Sequence, residues 1–327
     1  MAELGYTLST EEFAAPALVS NARRAEEAGF TFALISDHFH PWVERQGQSP
    51  FAWTVLGGVA EATERLRIGT GVTCPTIRYH PAIVAQAAAT VADLMPGRFF
   101  LGLGTGENLN EHVVGQGWPE PAVRREMLDE AVHIIRTLWQ GDTVSYRGSY
   151  FTVERARIYS LPEKLPDIYI AASGPRTAKL AGAVADGFIG VAPDASLIKA
   201  FREAGGAGKS CIGQVNVCWA ETEEQARRTA IEWWPNAAVS GETSLILQSP
   251  SDFDALAKLT RDEEKVKGFA LGPDPEVHLA TLRAYVEAGY THVYVHQVGP
   301  DQEGFFRFYE RNILPEFQRQ LVRAEPA

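Results

Sequence analysis

Along most of the chain, short apolar runs alternate with longer stretches whose apolar residues recur every three or four positions. The short runs suit strands buried on both faces, and the longer stretches suit helices with one buried stripe. This pattern predicts strands at Leu4–Thr7, Phe32–Ser36, Leu66–Gly71, Phe99–Gly104, Ile168–Ala172, Gly187–Val191, Ile212–Trp219 and His292–His296. It predicts helices at Ala15–Ala28, Thr54–Thr63, Pro81–Leu94, Val123–Trp139, Arg176–Ala185, Leu197–Ala204, Glu223–Trp234, Pro275–Ala288 and Phe305–Val322. Gly29 stands where a glycine ends the first helix. Strands alternating with helices imply a parallel sheet, and eight such strands imply an α/β fold of the (β/α)8 TIM-barrel type.

Two stretches break the alternation. Residues 140–165 read as a hairpin, with the segment YRGSYFTVE turning at Arg147–Gly148. Residues 235–272 mix prolines, serines and charges, as lids and binding loops do. The expectation is a single barrel domain over residues 1–327, carrying a hairpin insertion and a lid-like insertion at the C-terminal face of the barrel.

Composition bears mainly on the partner. A formal net charge of −11 disfavours nucleic acid and anionic membranes, which call for a clustered basic surface, and leaves a small molecule. Cys74, Cys211 and Cys218 form no CxxC pair, which argues against a disulfide framework or a zinc site and fits a reducing compartment. The start MAELGYTLSTEEF has no basic region followed by an apolar one, and no segment has the length and apolarity of a membrane span. A cytoplasmic protein without metal is expected.

Catalytic residues of such barrels sit in the loops after the strands. Four of these loops carry candidate chemistry. In Ser36-Asp37-His38-Phe39-His40-Pro41-Trp42, a carboxylate beside an imidazole can orient it, so that Asp37 and His38 form a general acid/base pair near neutral pH. The bland alternative is a surface loop whose histidines cap backbone groups. In Gly102-Leu103-Gly104-Thr105-Gly106-Glu107-Asn108-Leu109-Asn110, the glycines allow close backbone approach to a flat ligand, but the third glycine of a dinucleotide fingerprint is missing. Glu107 is either a second titrating group or a helix cap. Ala171-Ala172-Ser173-Gly174-Pro175, followed by Arg176 and Lys179, offers N–H groups at a helix start, a place for phosphate. Gly71-Val72-Thr73-Cys74-Pro75-Thr76 reads as a loop of unusual backbone, or as an ordinary strand-to-helix turn.

Taken together, SDHFHPW at 36–42, TGVTCPTIRYHPAIVAQA at 70–87, PGRFFLGLGTGENLNE at 96–111, LWQGDTVSYRGSYF at 138–151 and YIAASGP at 169–175 resemble the F420-dependent oxidoreductases of the luciferase-like superfamily. The likeness is greatest to their glucose-6-phosphate and secondary-alcohol dehydrogenase branch, and it spans nearly the whole chain. It implies hydride transfer between an alcohol or sugar and C5 of a deazaflavin, coenzyme F420, in a homodimer. It implies cofactor contacts from Asp37, from a non-proline cis peptide at Gly71–Val72, from Thr105, Gly106 and Asn110, and from a phosphate turn of Ala172, Ser173, Gly174 and Pro175. His38 would take the alcohol proton, Trp42 would stabilise the charged intermediate and Glu107 would protonate the ring. Glu11, His40 and Arg283 would face the substrate.

Asp194 stands where sugar-phosphate members carry a lysine, and His40 is closer to the alcohol dehydrogenase side, so a neutral or weakly polar alcohol or sugar is expected. The polyglutamate tail of F420 calls for basic residues at the barrel mouth, and the acidic chain does not visibly concentrate them. An FMN-dependent luciferase-like reductase or monooxygenase therefore stays open. A non-catalytic flavin-binding protein is the third reading, and the joint presence of Asp37, His38, Trp42 and Glu107 speaks against it.

Overall fold

The computed structural model describes residues 2–239 and 241–324. Its strands are β1 (Glu3–Leu8), β2 (Phe32–Ile35), β3 (Arg67–Thr70), β4 (Phe99–Leu103), β5 (Val144–Arg147), β6 (Thr152–Ala156), β7 (Ile168–Ala171), β8 (Gly187–Gly190), β9 (Ser210–Cys218), β10 (Ala270–Leu271) and β11 (His292–Gln297). The parallel pairings run β9-β11-β1-β2-β3-β4-β7-β8, and β8 pairs back to β9, so these eight strands close a barrel. Each expected strand is present. The two-residue β10, which extends β9 outside the ring, is too short to show as an apolar run.

Inward positions alternate with outward ones. Phe32, Leu34, Phe100, Tyr169, Ile189, Ile212 and Tyr294 form an apolar cluster inside the barrel. The rings fit because neighbouring strands carry glycine at facing positions: a Cβ on Gly69 would meet the Phe100 ring at 2.2 Å, and one on Gly187 would meet Tyr169 at 2.2 Å. A larger cluster packs the outward faces, such as Leu8, Ile35 and Val295, against the surrounding helices. Toward the C-terminal ends of the strands the inward positions turn polar, with Thr7, Ser36, Gln214, Asn216 and His296 above the aromatic layer. That change converts a packed core into a cavity.

The surrounding helices span Ala15–Ala28, Ala52–Ala62, Pro81–Leu94, Pro121–Leu138, Pro175–Val184, Ala195–Phe201, Glu223–Trp233, Pro275–Ala288, Gln302–Phe308 and Leu314–Ala324. Two expected helices are not continuous. The last is interrupted by a wider π turn at Tyr309–Ile313, and the helix beginning at Ala195 passes into another at Arg202–Gly206, where Gly205 has φ 110°. Apolar spacing does not distinguish such a turn from an α-helix.

The hairpin β5–β6 is antiparallel, with Arg147 opposite Thr152. The Glu130 carboxylate caps its turn by accepting the N–H groups of Ser149, Tyr150 and Phe151. The hairpin lies along the outer helices, and none of its described residues lines the cavity. The 235–272 segment is more ordered than its composition suggests, holding a 3-10 turn at Pro235–Ala238 and short helices at Glu242–Ile246, Pro250–Ala257 and Asp262–Lys265. Ser249 and Asp252 form a capping box on the second of these. No described helix is long and apolar enough to cross a membrane.

Candidate active site

A cavity of about 320 Å³ opens at the C-terminal ends of the strands. This is the size of a small-ligand site at the place where such barrels bind. Of the expected residues it collects Glu11, His38, Trp42, Gly71, Val72, Gly106 and Glu107. The Gly71–Val72 peptide is cis.

His38 is held at both ring nitrogens. Nδ1 lies 3.1 Å from the carbonyl oxygen of His40, an acceptor, so Nδ1 carries the proton and donates it there. Nε2, on the cavity side, faces Glu11 Oε1 at 3.4 Å. Glu11 is buried and accepts from Ser9 and Ser36. Burial works against its charge, but the His38 imidazole, the Ser36 hydroxyl, a backbone N–H and His296 outweigh it and leave the carboxyl below its ordinary value. The Trp42 ring lies 4.8 Å from the His38 ring and is braced edge-on by Phe253 of the lid-like segment at 5.3 Å.

Asp37 does not pair with His38. Its side chain is fully buried and accepts from Thr73 Oγ1 at 2.7 Å, Tyr79 Oη at 3.0 Å and Arg78 Nη2 at 3.2 Å. It ties the strand-3 loop down from behind and does not line the cavity. Arg78 also spans to Glu111, whose carboxyl burial pushes up to about 7 despite that guanidinium. The imidazole's carboxylate partner is Glu11, and sequence adjacency pointed to the wrong acid.

Three further placements differ from expectation. His40 bonds Leu109 O through Nδ1 at 2.9 Å and braces its loop outside the cavity lining. Asn110 is buried and accepts the N–H groups of Phe39 at 2.9 Å and His40 at 3.2 Å, which fixes the loop carrying His38, while its Nδ2 has no protein partner. Arg283 lies on the outer helix Pro275–Ala288, engages Glu276 and does not reach the cavity.

A second cavity, lined by Thr105, Arg124, Arg125, Ser173, Gly174, Pro175 and Arg176, adjoins the first across the Thr105–Gly106 turn. Gly174 caps the ten-residue helix Pro175–Val184, and a Cβ added to it would meet nothing within 4 Å, so its backbone is open to a ligand. Ala172 stands behind this turn, bonded through its N–H to Ile189 O. Arg124 donates to the carbonyls of Pro119 and Gly106 and fixes the turn between the cavities. Folding thus gathers basic residues that are scattered along the chain.

Sequence reading missed a second imidazole–carboxylate pair. His296, at the end of β11, bonds Glu12 Oε2 through Nε2 at 2.7 Å and faces Asn216 Oδ1 through Nδ1 at 3.2 Å. Trp234 meets it edge-on at 4.3 Å. Gln214, Asn216, Trp234, Asn236 and Tyr294 line the same cavity. The available signals were the second glutamate of STEEF and a histidine closing the last strand. Among the described residues, no cluster of His, Cys, Asp or Glu is arranged to hold a metal.

The luciferase-like monooxygenase family model matches residues 1–292. The chain is 37% identical over 330 residues to an F420-dependent glucose-6-phosphate dehydrogenase of Microbacterium testaceum, covering 97% of this chain and 98% of that one. It is 38% identical over 322 residues to an F420-dependent hydroxymycolic acid dehydrogenase of Mycobacterium tuberculosis, covering 96% and 88%. Among solved structures, an F420-dependent secondary alcohol dehydrogenase in complex with an F420-acetone adduct matches with a TM-score of 0.90 at 30% identity, covering 97% and 99%.

Proposed function

The chain belongs to the luciferase-like monooxygenase family, and from that premise we propose that it is an F420-dependent dehydrogenase acting on the CH–OH group of an uncharged alcohol or sugar. The observation that carries this reading is the setting of His38: a backbone carbonyl accepts from Nδ1, and Nε2 stands beside the buried Glu11 carboxylate at the cavity wall.

The residues present fit the cofactor. The turn Gly71–Val72 and Gly106 offer a side-chain-poor surface to a flat ring, and the neighbouring cavity presents Ser173–Pro175 at a helix start beside Arg125 and Arg176. A helix N-terminus with guanidinium groups suits the phosphate and the anionic tail of F420. When bound, F420 supplies the hydride acceptor at its C5. His38 Nε2 takes the hydroxyl proton as the carbinol C–H bond is broken, and Glu11 faces the charge the imidazole then carries. Trp42 packs against that ring and, with Phe253 behind it, keeps water from the imidazole. Glu107 lines the same cavity, and in this reading it would exchange a proton with the cofactor ring.

No lysine or arginine lines the main cavity among the described residues, whereas Glu11 and Glu107 do. A phosphorylated substrate would meet two carboxylates and no counter-charge. An uncharged substrate is therefore the reading the site supports. A cytoplasmic homodimer completes the proposal, with light scattering of the purified protein as its check. The cofactor assignment is tested by titrating the protein with F420 and, separately, with FMN, following tryptophan fluorescence. Tight binding of F420 with none of FMN is expected, and the reverse preference would replace this reading with an FMN-dependent oxidoreductase.

A further inference from the structure

One wall of the cavity is built from three side-chain amides. Gln214 and Asn216 are two positions apart on β9 and so face the same way, into the barrel. Asn236 comes from the 3-10 turn that opens the lid-like segment. Each amide is engaged from behind by the protein, Gln214 and Asn236 through their oxygens. Gln214 Oε1 accepts from Tyr294 Oη at 3.1 Å. Asn236 Oδ1 faces Gln46 Nε2 at 3.4 Å. The orientation of Gln46 is itself fixed, because its Oε1 takes the backbone N–H groups of Trp42 at 2.8 Å and Val43 at 3.3 Å. Asn216 Oδ1 faces His296 Nδ1 at 3.2 Å, and that ring is anchored through Nε2 to Glu12 at 2.7 Å. The NH2 groups of Gln214 and Asn236 are thereby left for another partner, and Asn216 offers the cavity whichever end of its amide His296 does not engage.

A simple alcohol has one oxygen, and the chemistry at His38 uses it. Three amide groups would keep unpaired polar atoms beside it, and a polar group left buried without a partner costs about 1–3 kcal/mol. Thr7 Oγ1, on the same cavity, is also buried without a protein partner. The amides carry no charge, so they suit neutral acceptors, whereas an anion in this cavity would face Glu11 and Glu107 without a cation. Hydroxyl oxygens match: each accepts an N–H and can donate in turn to a neighbouring acceptor.

We propose that Gln214, Asn216 and Asn236 recognise oxygen atoms of the substrate beyond the carbinol being oxidised, which makes the substrate an uncharged polyhydroxylated compound, a polyol or a free sugar. This rests on the F420-dependent dehydrogenase reading and narrows it. The His296–Glu12 pair then acts as a positioning device, presenting the Asn216 amide without touching the reacting atoms.

The test uses the purified full chain with F420, following loss of the oxidised cofactor's visible absorbance with propan-2-ol, sorbitol, glucose and glucose 6-phosphate. The expected result is a kcat/KM for sorbitol or glucose at least about 100-fold above that for propan-2-ol, since a site built to bond hydroxyls rejects an analogue lacking them. In Gln214→Leu and Asn236→Leu this ratio should fall by about 10-fold, chiefly through a higher KM for the polyhydroxylated substrate. Two variants on different elements guard against one failing to fold. Equal or better use of propan-2-ol, a preference for glucose 6-phosphate, or a ratio unmoved in both variants would overturn the proposal while leaving the dehydrogenase reading in place. F420 binding without turnover of any of the four compounds would likewise overturn the substrate class alone. Failure to bind F420 would overturn the cofactor reading beneath it.

Discussion

Two imidazole–carboxylate pairs share the cavity, and they differ in how tightly they are closed. In the His296–Glu12 pair the two side chains are 1% and 0% exposed and 2.7 Å apart, and Glu12 Oε1 also takes the Gly299 N–H at 2.9 Å. In the His38–Glu11 pair the side chains are 10% and 4% exposed and 3.4 Å apart. Every ring nitrogen of His296 faces a protein partner at hydrogen-bond distance. His38 keeps Nε2 only loosely engaged. One pair is finished as it stands, and the other has room for a substrate proton. Both arise from one turn: β1 lies between β11 and β2 in the barrel, so the adjacent glutamates after β1 serve the imidazoles on either side.

The sharpest way to break this contrast is to remove each imidazole in turn. His38→Gln should lower kcat by about 1,000-fold, within the range for losing a general base, while the F420 dissociation constant stays within a few-fold. If His296→Gln cost more turnover than His38→Gln, the two roles would have to be exchanged. Stability should show the opposite order. His296→Ala leaves the Glu12 carboxylate buried without its closest donor and should cost about 3 kcal/mol of unfolding free energy, read from urea midpoints at constant m. His38→Ala should cost under about 1 kcal/mol, since Glu11 keeps Ser9 and Ser36 as donors.

A smaller effect sharpens the comparison further. Glu11→Gln keeps the shape of the loose pair and removes the charge that faces the imidazolium. A fall in kcat/KM of about 10-fold is expected, and Glu12→Gln should change it less while lowering the urea midpoint more. Equal effects of the two substitutions on kcat/KM would mean that the pairs are not functionally distinct.

The barrel was legible because its signal is local: each strand is a short apolar run, and both faces of a barrel strand are buried. The loops of the site were legible for the same reason, since chemistry collects after strand ends. Partnerships were not. Asp37 and His38 are neighbours in the chain, yet their side chains diverge, one into the Thr73–Arg78–Tyr79 knot and the other into the cavity. The actual partner, Glu11, lies a whole strand and helix earlier and arrives because β1 and β2 pair side by side. The same holds for His296 and Glu12, from opposite ends of the chain, and for Arg125 and Arg176 beside the second cavity. Arg283 shows the converse: its local context suggested the site, and helix geometry sends it outward.

His278 supplies the smallest effect and a control, an imidazole with no carboxylate bonded to it. It is fully buried, with Nε2 donating to Gly272 O at 2.9 Å and Nδ1 receiving the Tyr309 hydroxyl at 2.9 Å. Burial holds it down to about 4, against 6.5 for an ordinary histidine, even though the Gly272 bond and Asp274 pull the other way. Between those values the unfolded chain binds a proton that the folded chain refuses. The stabilisation is therefore complete above pH 6.5 and is lost as the pH falls toward 4. One unit of pH in that window corresponds to about 1.4 kcal/mol at most. The variant His278→Gln, which retains one donor and one acceptor, should start less stable at pH 7 and converge on the parent by roughly 1 kcal/mol between pH 6.5 and 5.5 in urea titrations. Parallel stability curves for the two proteins would show that His278 gains its proton as easily folded as unfolded, and that burial without a carboxylate is not what keeps an imidazole neutral in this fold.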